Sequence, residues 1–503
     1  MLLGLSFPPY PFPFLAWIAF VPLLSAWDDD RTDGRSAFLD AYIAFLITFA
    51  VAFQWPLFHR FTATAVLSLP PLLILPMWMA VPFAISRPVY RRLGFCAGTT
   101  ALIAFYIVME YGLRSGPFAF PWPLLGHSQA EWYPVNRLAS LGGVPLLTTV
   151  VLAANGIITA ILGRAPTPAR LVLYGMLPML VAGRNAPLSE AGDPVQNMRQ
   201  DRKGLRVAGI QPALPPDSWA DLQDSTRVSL LLDLTSALVS QSNAPPDLIV
   251  WPETALPPYP STSVYTDRLQ SLVDSTRIPI LAGAITSDSE DGSIYRNSAL
   301  LIAPGAGVQS YDKINLVPFA ERVPFTGVIP NLERWAIPAG GVSGYEPGEN
   351  RTIFEISGHR FGVLICLETL FSDAARGYTH DNAEALIAIT QDGWWGNSFG
   401  YRQHLAFNRL RSIETGLPML QASVSGVSAL IDSGGRVHEL AGWMEPATWV
   451  VDVPSADTGT PTLYVRWGEW VTMFAVVLAL AFATVTVVRG GIEARGAKHR
   501  ASS

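Results

Sequence analysis

Long apolar runs fill residues 1–182 and return once at Trp470–Val488, bracketing a stretch of ordinary globular composition from Arg184 to Gly468. This layout limits the fold more than any other feature. A run of about 20 mostly apolar residues is long enough to cross a bilayer as a helix. Such runs lie at Phe12–Trp27, Ala37–Trp55, Ala65–Ile85, Phe95–Leu113, Val144–Leu162, Leu171–Ala182 and Trp470–Val488, the sixth being short. Pro70, Pro71, Pro76 and Pro82 fall within the third, where a membrane helix tolerates them better than a soluble one. Only 15% of the chain is charged, against roughly 25% in soluble domains. The sequence therefore predicts a transmembrane bundle over 1–183, a globular domain over 184–468, one further span over 469–489 and a tail over 490–503.

Arginine placement orients the spans. Arg31 and Arg35 follow the first run, Arg87, Arg91 and Arg92 the third, Arg164 and Arg170 the fifth, and Arg489, Arg495, Lys498 and Arg500 the last. Alternating spans put all four groups on one side, which the positive-inside rule makes cytoplasmic. The globular domain then lies on the opposite face. The same count places the N-terminus outside the cytoplasm. Either the short Met1–Phe7 stub is translocated or a helix precedes it, and the second is the expectation.

A net charge of −6 and the lack of any Lys/Arg-rich run exclude a nucleic-acid partner. The two cysteines, Cys96 and Cys366, lie in a membrane run and in the globular domain respectively, so no disulfide is expected. No His-Glu-x-x-His or paired-cysteine pattern indicates a metal, no G-x-S-x-G elbow appears, and no cofactor is expected.

Within the globular domain, strand-length apolar runs occur at Leu205–Ile210, Leu248–Trp251, Ile278–Ala282, Ser298–Ile302, Phe361–Ile365 and Ala385–Ile389. Helix-length stretches intervene, among them Asp221–Gln241, Tyr265–Asp274 and Arg402–Glu414. That alternation indicates a layered α/β domain. Val317–Gly348 is rich in Pro, Gly and aromatics without periodicity, as in a lid or substrate loop.

Three segments carry chemistry. Asp247-Leu-Ile-Val-Trp-Pro-Glu253 runs a buried strand into a carboxylate, and Phe361-Gly-Val-Leu-Ile-Cys366-Leu-Glu368 delivers a cysteine at a strand end. Tyr311-Asp-Lys313-Ile-Asn-Leu-Val-Pro-Phe-Ala-Glu321 sets a lysine before the irregular loop and a second carboxylate on it. A thiol needs a base to become a nucleophile, a role Glu253 can fill for Cys366. Attack on an acyl carbon creates an oxyanion, which Lys313 can stabilise. Glu321 and Glu368 can orient the lysine or act as secondary acid-base groups. Taken singly, each of these residues is more often a surface ion-pair partner. Lysine occurs elsewhere only at Lys203 and Lys498 in a chain that otherwise uses arginine, which hints that position 313 needs a compact ammonium.

In this order the three segments resemble the carbon–nitrogen hydrolase (nitrilase) superfamily. With flanking spans the resemblance narrows to apolipoprotein N-acyltransferases. Phe120-Pro-Trp122 with Gly126-His-Ser-Gln129, Gln211-Pro with Trp219, Asn297, Asp392-Gly-Trp-Trp-Gly396 with Gln403-His404, and Thr462-Leu-Tyr464 with Gly468 and Trp470 extend it along nearly the whole chain. The resemblance implies a nitrilase-like α-β-β-α sandwich attached to a polytopic helix bundle, with a Glu253–Lys313–Cys366 triad. Glu321, Glu368, Trp219, Asn297 and Trp122 are then secondary catalytic or substrate-binding candidates. It also implies a monomer in the bacterial inner membrane, with the catalytic domain in the periplasm. That enzyme passes a fatty acyl chain from a phospholipid through a cysteine thioester to a diacylglyceryl-modified apolipoprotein.

The departures are Leu367 where a tyrosine usually follows the nucleophile, Thr390-Gln391-Asp392 for an Asn-Asp pairing, and Ser423-Val-Ser425-Gly426 for an Asn-containing loop. A membrane-bound nitrilase-type amidase is the alternative activity, and a non-catalytic receptor or scaffold the alternative class. His404 is expected to be a structural hydrogen-bonder, Trp394 and Trp395 core or rim aromatics. Glu110 and Arg114 form a possible i,i+4 pair near a membrane helix end.

Overall fold

A computed structural model describes residues 1–29, 31–58, 65, 68–163, 204–241, 244–258, 261–287, 294–326, 328–329, 331, 344–456 and 459–501. The expected span Leu171–Ala182 and most of the second half of the Val317–Gly348 loop lie outside them. The chain divides into two compact units. One comprises Met1–Gln54, Ser68–Ala186 and Trp467–Ser503, the other Trp55–Leu67 and Pro187–Arg466.

In the first unit, five helices among the described residues are long and apolar enough to cross a membrane: Gly34–Phe58, Leu69–Leu93, Phe95–Leu113, Val135–Leu162 and Trp470–Ile492. The run Phe12–Trp27, expected as a span, forms a shorter apolar helical stretch, Pro13–Asp28, built of the turns Pro13–Trp17, Val21–Ser25 and Ala26–Asp28. Pro13 and Pro22 open two of them, where proline costs no intrahelical bond. Polar side chains from the later helices then take up the freed backbone groups. Asn155 accepts from the Phe20 amide and donates to the Ala16 carbonyl, each at 2.7 Å, and Gln129 donates to the Pro13 carbonyl at 3.2 Å. Buried irregular backbone survives only when its polar groups are satisfied in this way.

The helix Leu69–Leu93 runs eight residues past the expected Ile85, and its last turn carries Arg91 and Arg92. Cations there complement the negative end of the helix dipole. Arg92 donates to the Thr486 carbonyl, and Tyr90 to Asp28, so these segments meet at one end of the bundle. At another point Arg114 forms a bidentate pair with Glu469 at 2.8 and 2.9 Å, rather than the i,i+4 pair with Glu110. Glu110 accepts instead from the Leu125 amide and the Thr148 hydroxyl, tying the Trp122–Gln129 loop to the helix Ala139–Leu162.

The second unit is built on two six-stranded sheets. The first has the order β12-β1-β2-β3-β4-β5, from β1 (Gly204–Gln211), β2 (Leu248–Leu256), β3 (Ile280–Ser287), β4 (Tyr295–Ile302), β5 (Val308–Asp312) and β12 (Ala447–Pro454). The second has the order β11-β10-β9-β8-β7-β6, from β6 (Ile353–Ile356), β7 (His359–Ile365), β8 (Ala385–Thr390), β9 (Met419–Ser423), β10 (Ser428–Ile431) and β11 (Val437–Ala441). Each sheet has a parallel centre, β1-β2-β3 and β7-β8-β9, with antiparallel edges.

Alternation along the strands sorts their side chains. Leu205, Val207, Val363, Ile365 and Leu420 face into one shared core between the sheets. Ala208, Ile210, Ile249 and Trp251 turn outward into a second core with Val228 and Leu231 of the helix Asp224–Gln241 and Leu269 and Val273 of the helix Ser261–Thr276. On the far side, Leu364, Leu386 and Ala388 pack with Ala375 and Tyr378 of the helix Ser372–His380. The result is a helix-sheet-sheet-helix sandwich, the layering the resemblance implies. Trp55 groups with this unit: its indole donates to Gln403 at 3.1 Å and its ring lies 5.1 Å from Trp395.

Candidate active site

A bulge in one strand and the ends of two others carry the candidate residues. β2 pairs with β3 through Trp251 and resumes only at Leu256, so Pro252, Glu253 and Thr254 bulge from the ladder. Pro252 has no amide to give the ladder, and Thr254 adopts a left-handed φ of 54°. The bulge lies so close to β3 that a Cβ on Gly283 would come within 2.5 Å of the Pro252 carbonyl oxygen and 2.6 Å of the Glu253 Cα. Only glycine admits that approach. Lys313 follows β5, its amide donating to the Asn297 carbonyl at 2.8 Å. Cys366 follows β7 with a φ of 51° and opens the 3-10 turn Cys366–Leu370. A left-handed non-glycine residue is strained, and strain of that kind gathers at functional sites.

The side chains form one buried cluster. Lys313 is 1% exposed and Glu253 5%. The Lys313 ammonium lies 2.8 Å from Glu321 and 3.8 Å from Glu253. Asn297 on β4 bridges both carboxylates, its amide donating at 2.9 Å to Oε1 of each. The other Glu321 oxygen accepts from the Val317 amide at 2.8 Å. Glu321 is thus the lysine's closer partner, and it holds the ammonium in place.

Burial alone would lower the Lys313 pKa, but Glu321, Glu253 and Cys366 outweigh it and keep the ammonium charged. Burial raises the Glu253 pKa, with Glu321 adding to the rise and Lys313 and Asn297 opposing it. Burial and then Glu253 push the Cys366 thiol well up, while Lys313 pulls the other way. The resting cysteine is therefore a neutral thiol beside a base of raised proton affinity and a fixed cation. Such a site activates its nucleophile by proton transfer during attack.

Glu368 sits elsewhere in this scheme. It is fully buried, and both its oxygens accept from the Tyr311 hydroxyl, at 2.9 and 3.0 Å. Oε1 also accepts from the Ile314 and Asn315 amides at 2.7 and 3.0 Å, and Oε2 from the Ile365 amide at 2.9 Å. It clamps the Lys313 segment of one sheet to the Cys366 turn of the other. Trp219 is buried beside the Glu253 bulge, its indole donating to the Thr254 carbonyl and hydroxyl at 3.2 Å and the Arg227 guanidinium lying 5.3 Å from its ring. Trp122 belongs to the first unit, where it is buried and stacks on Phe120 at 5.9 Å. Sequence reasoning gave no role to Tyr311, Gly283 or Thr369. Only the tyrosine's place in the Tyr-Asp-Lys segment marked it out.

A family model described as carbon-nitrogen hydrolase matches residues 206–460, and one described as apolipoprotein N-acyltransferase N-terminal domain matches residues 1–157. The apolipoprotein N-acyltransferase of Azotobacter vinelandii is 30% identical over 446 residues, covering 85% of this chain and 80% of that protein. The chain belongs to the apolipoprotein N-acyltransferase family of carbon-nitrogen hydrolases. The Chlorobaculum tepidum member is 28% identical over 518 residues, with 97% of this chain and 95% of that protein covered. A solved amidase of the nitrilase superfamily from Nesterenkonia AN1 is 17% identical and aligns at a TM-score of 0.40, over 53% of this chain and 95% of its own. The family match spans both the apolar helices and the sandwich, so membership of the N-acyltransferase family rests on both units of the chain.

Proposed function

We propose that this chain is an apolipoprotein N-acyltransferase that works through a thioester on Cys366. The observation that carries this reading is the buried convergence of Glu253, from a strand bulge, with Lys313 and Cys366, from two strand ends, in a chain whose flanking helices are apolar enough to tether it to a membrane. Glu253 accepts the thiol proton as the sulfur attacks a phospholipid ester carbonyl, and Lys313 stabilises the oxyanion. The tetrahedral adduct collapses with loss of the lysophospholipid alkoxide, which takes the proton from Glu253. The α-amine of a diacylglyceryl-cysteine then attacks the thioester, its proton passes to Glu253, and the cysteine leaves as sulfur anion to be reprotonated. Glu321 and Asn297 position the lysine and the base, and Glu368 fixes the two sheets' contributions relative to each other. Trp219 shapes the pocket wall near Glu253, and Trp122 serves the lipid-facing unit.

Both substrates are membrane-anchored, which fits an enzyme with apolar residues exposed on the loop near the site: Phe325, Val328 and Ile329 are 47, 79 and 48% exposed. The arginine pattern supports a catalytic unit on the periplasmic face of the inner membrane, and the same reading takes the enzyme as a monomer.

Intact-mass measurement of the detergent-solubilised protein after incubation with phospholipid tests the chemistry. The expected result is a fatty-acyl adduct on Cys366 that hydroxylamine cleaves and a diacylglyceryl-cysteine peptide discharges onto its amine. An adduct lost to water and never to the amine would instead indicate the amidase, and no adduct on folded protein would overturn the proposal.

Two further outcomes follow from the geometry. Glu253 must be ionised to accept the proton, and its pKa lies above the ordinary carboxylate value of 4.5. Acylation should therefore fail on the acid side at a pH above 4.5. Asn297→Ala removes a donor that favours the carboxylate, so the acid limb should move to still higher pH in a single-turnover pH profile. Gly283→Ala drives a methyl into the Glu253 bulge. A displacement of about 1 Å at the base should slow acylation roughly 100-fold. Wild-type single-turnover rates in that variant would show that the bulge has room to spare.

A further inference from the structure

A second polar chain runs behind the nucleophile. The Thr369 hydroxyl donates to the Cys366 carbonyl at 3.1 Å and lies 2.7 Å from His404 Nε2. His404 Nδ1 is 2.8 Å from Asp392 Oδ1, which also accepts from the Thr390 hydroxyl at 2.7 Å. Thr369, His404, Asp392 and Thr390 are fully buried. The one proton of the Thr369 hydroxyl lies on the Cys366 carbonyl, so its oxygen accepts from His404 Nε2, and Nδ1 donates to the Asp392 carboxylate, both ring nitrogens serving as donors. The Trp395 ring, edge-on to the imidazole at 5.7 Å, packs against it from another side.

Two features go beyond ordinary core hydrogen bonding. The chain ends on the carbonyl of a residue held at a φ of 51°, a conformation that needs support from its surroundings. Asp392 also leaves its second oxygen, Oδ2, buried with no hydrogen-bond partner among the described residues. A buried carboxylate oxygen so left costs stability, and its charge acts on both Cys366 and Glu253.

We propose that Asp392, His404 and Thr369 form a positioning chain for the nucleophile. Asp392 orients the His404 ring, His404 orients the Thr369 hydroxyl, and Thr369 holds the Cys366 carbonyl and with it the left-handed turn that aims the thiol at Glu253. The three are positioning residues, since none touches the reacting atoms. The inference rests on Cys366 being the nucleophile.

The test compares Thr369→Val, Thr369→Ser, His404→Gln and the wild type, each as full-length protein purified as a folded fraction. Three quantities are read: the rate of Cys366 alkylation by iodoacetamide, the single-turnover rate of acylation by phospholipid, and the melting temperature. Thr369→Val should slow both rates, acylation roughly 100-fold, and His404→Gln should do likewise. Thr369→Ser keeps the hydroxyl and should restore both rates even where its melting temperature stays low. A network that only stabilises the fold would move melting temperatures and leave the rates per folded molecule unchanged, which overturns the proposal. Equal impairment of Thr369→Val and Thr369→Ser would overturn it too. Alkylation requires no acyl substrate, so it reads the positioning chain even if wild-type protein forms no acyl adduct, an outcome that counts against the proposed function alone.

Discussion

Cys366→Ala should leave no acyl adduct and no transfer to a diacylglyceryl-cysteine peptide, a loss on the order of 10⁴-fold or more, as when a covalent nucleophile is removed. The size of the effect follows from the site rather than from the thiol alone. Burial and the Glu253 carboxylate hold the thiol protonated at rest, so no standing thiolate exists for another residue to mimic. Reactivity arises only when the sulfur, Glu253 and Lys313 act in one step. Alanine has the same left-handed strain at this position as cysteine and occupies less space, so the fold should persist. Cys366→Ser keeps a nucleophilic atom in place, but its proton is far harder for Glu253 to take, and it too should fail. Intact mass after phospholipid treatment checks both variants alongside their melting temperatures. A folded Cys366→Ala protein that still transferred acyl chains at a substantial rate would remove Cys366 from the mechanism.

Glu253 and Cys366 could be picked out of the sequence because each follows a readable apolar run, and Lys313 because lysine is rare in this chain and this one precedes the irregular loop. β2, β4, β7 and β8 have enough consecutive apolar residues to read as buried strands, and the residue types at their ends are the ones acyl chemistry uses. β5, β10 and β11 could not be read in this way. They are short, and β5 exposes Val308, Gln309 and Ser310; it exists because β4 offers it a ladder of partners. The irregular backbone of Phe12–Trp27 has a related cause. The run is apolar enough to span, but Asn155 and Gln129, more than a hundred residues away, decide how its backbone groups are met. Local composition cannot report partners of that kind. Glu321 was legible as a companion to the lysine, whereas the dominance of its 2.8 Å contact over that of Glu253 was not.

Glu368 is where the structure adds most to the sequence, and its replacement should have the second-largest effect. A carboxylate two residues after a nucleophilic cysteine suggests a proton carrier. Its neighbours instead make it an acceptor for the Tyr311 hydroxyl and three backbone amides, those of Ile314, Asn315 and Ile365. Glu368→Ala leaves these donors buried without an acceptor, at about 1–3 kcal/mol for each group that finds no substitute. A fall in stability of more than about 3 kcal/mol is therefore expected, together with loss of acylation as the Lys313 segment parts from the Cys366 turn. Glu368→Gln separates this reading from acid-base catalysis. An amide turns its NH₂ toward donors that need an acceptor, so even this isosteric change should lower the melting temperature sharply. A proton carrier replaced by glutamine would lose its rate while the protein melted as before. Melting curves and single-turnover acylation of the same two variants therefore decide between them, and an unshifted Glu368→Gln melting temperature would mean that the contact across the two sheets is held by something other than this carboxylate.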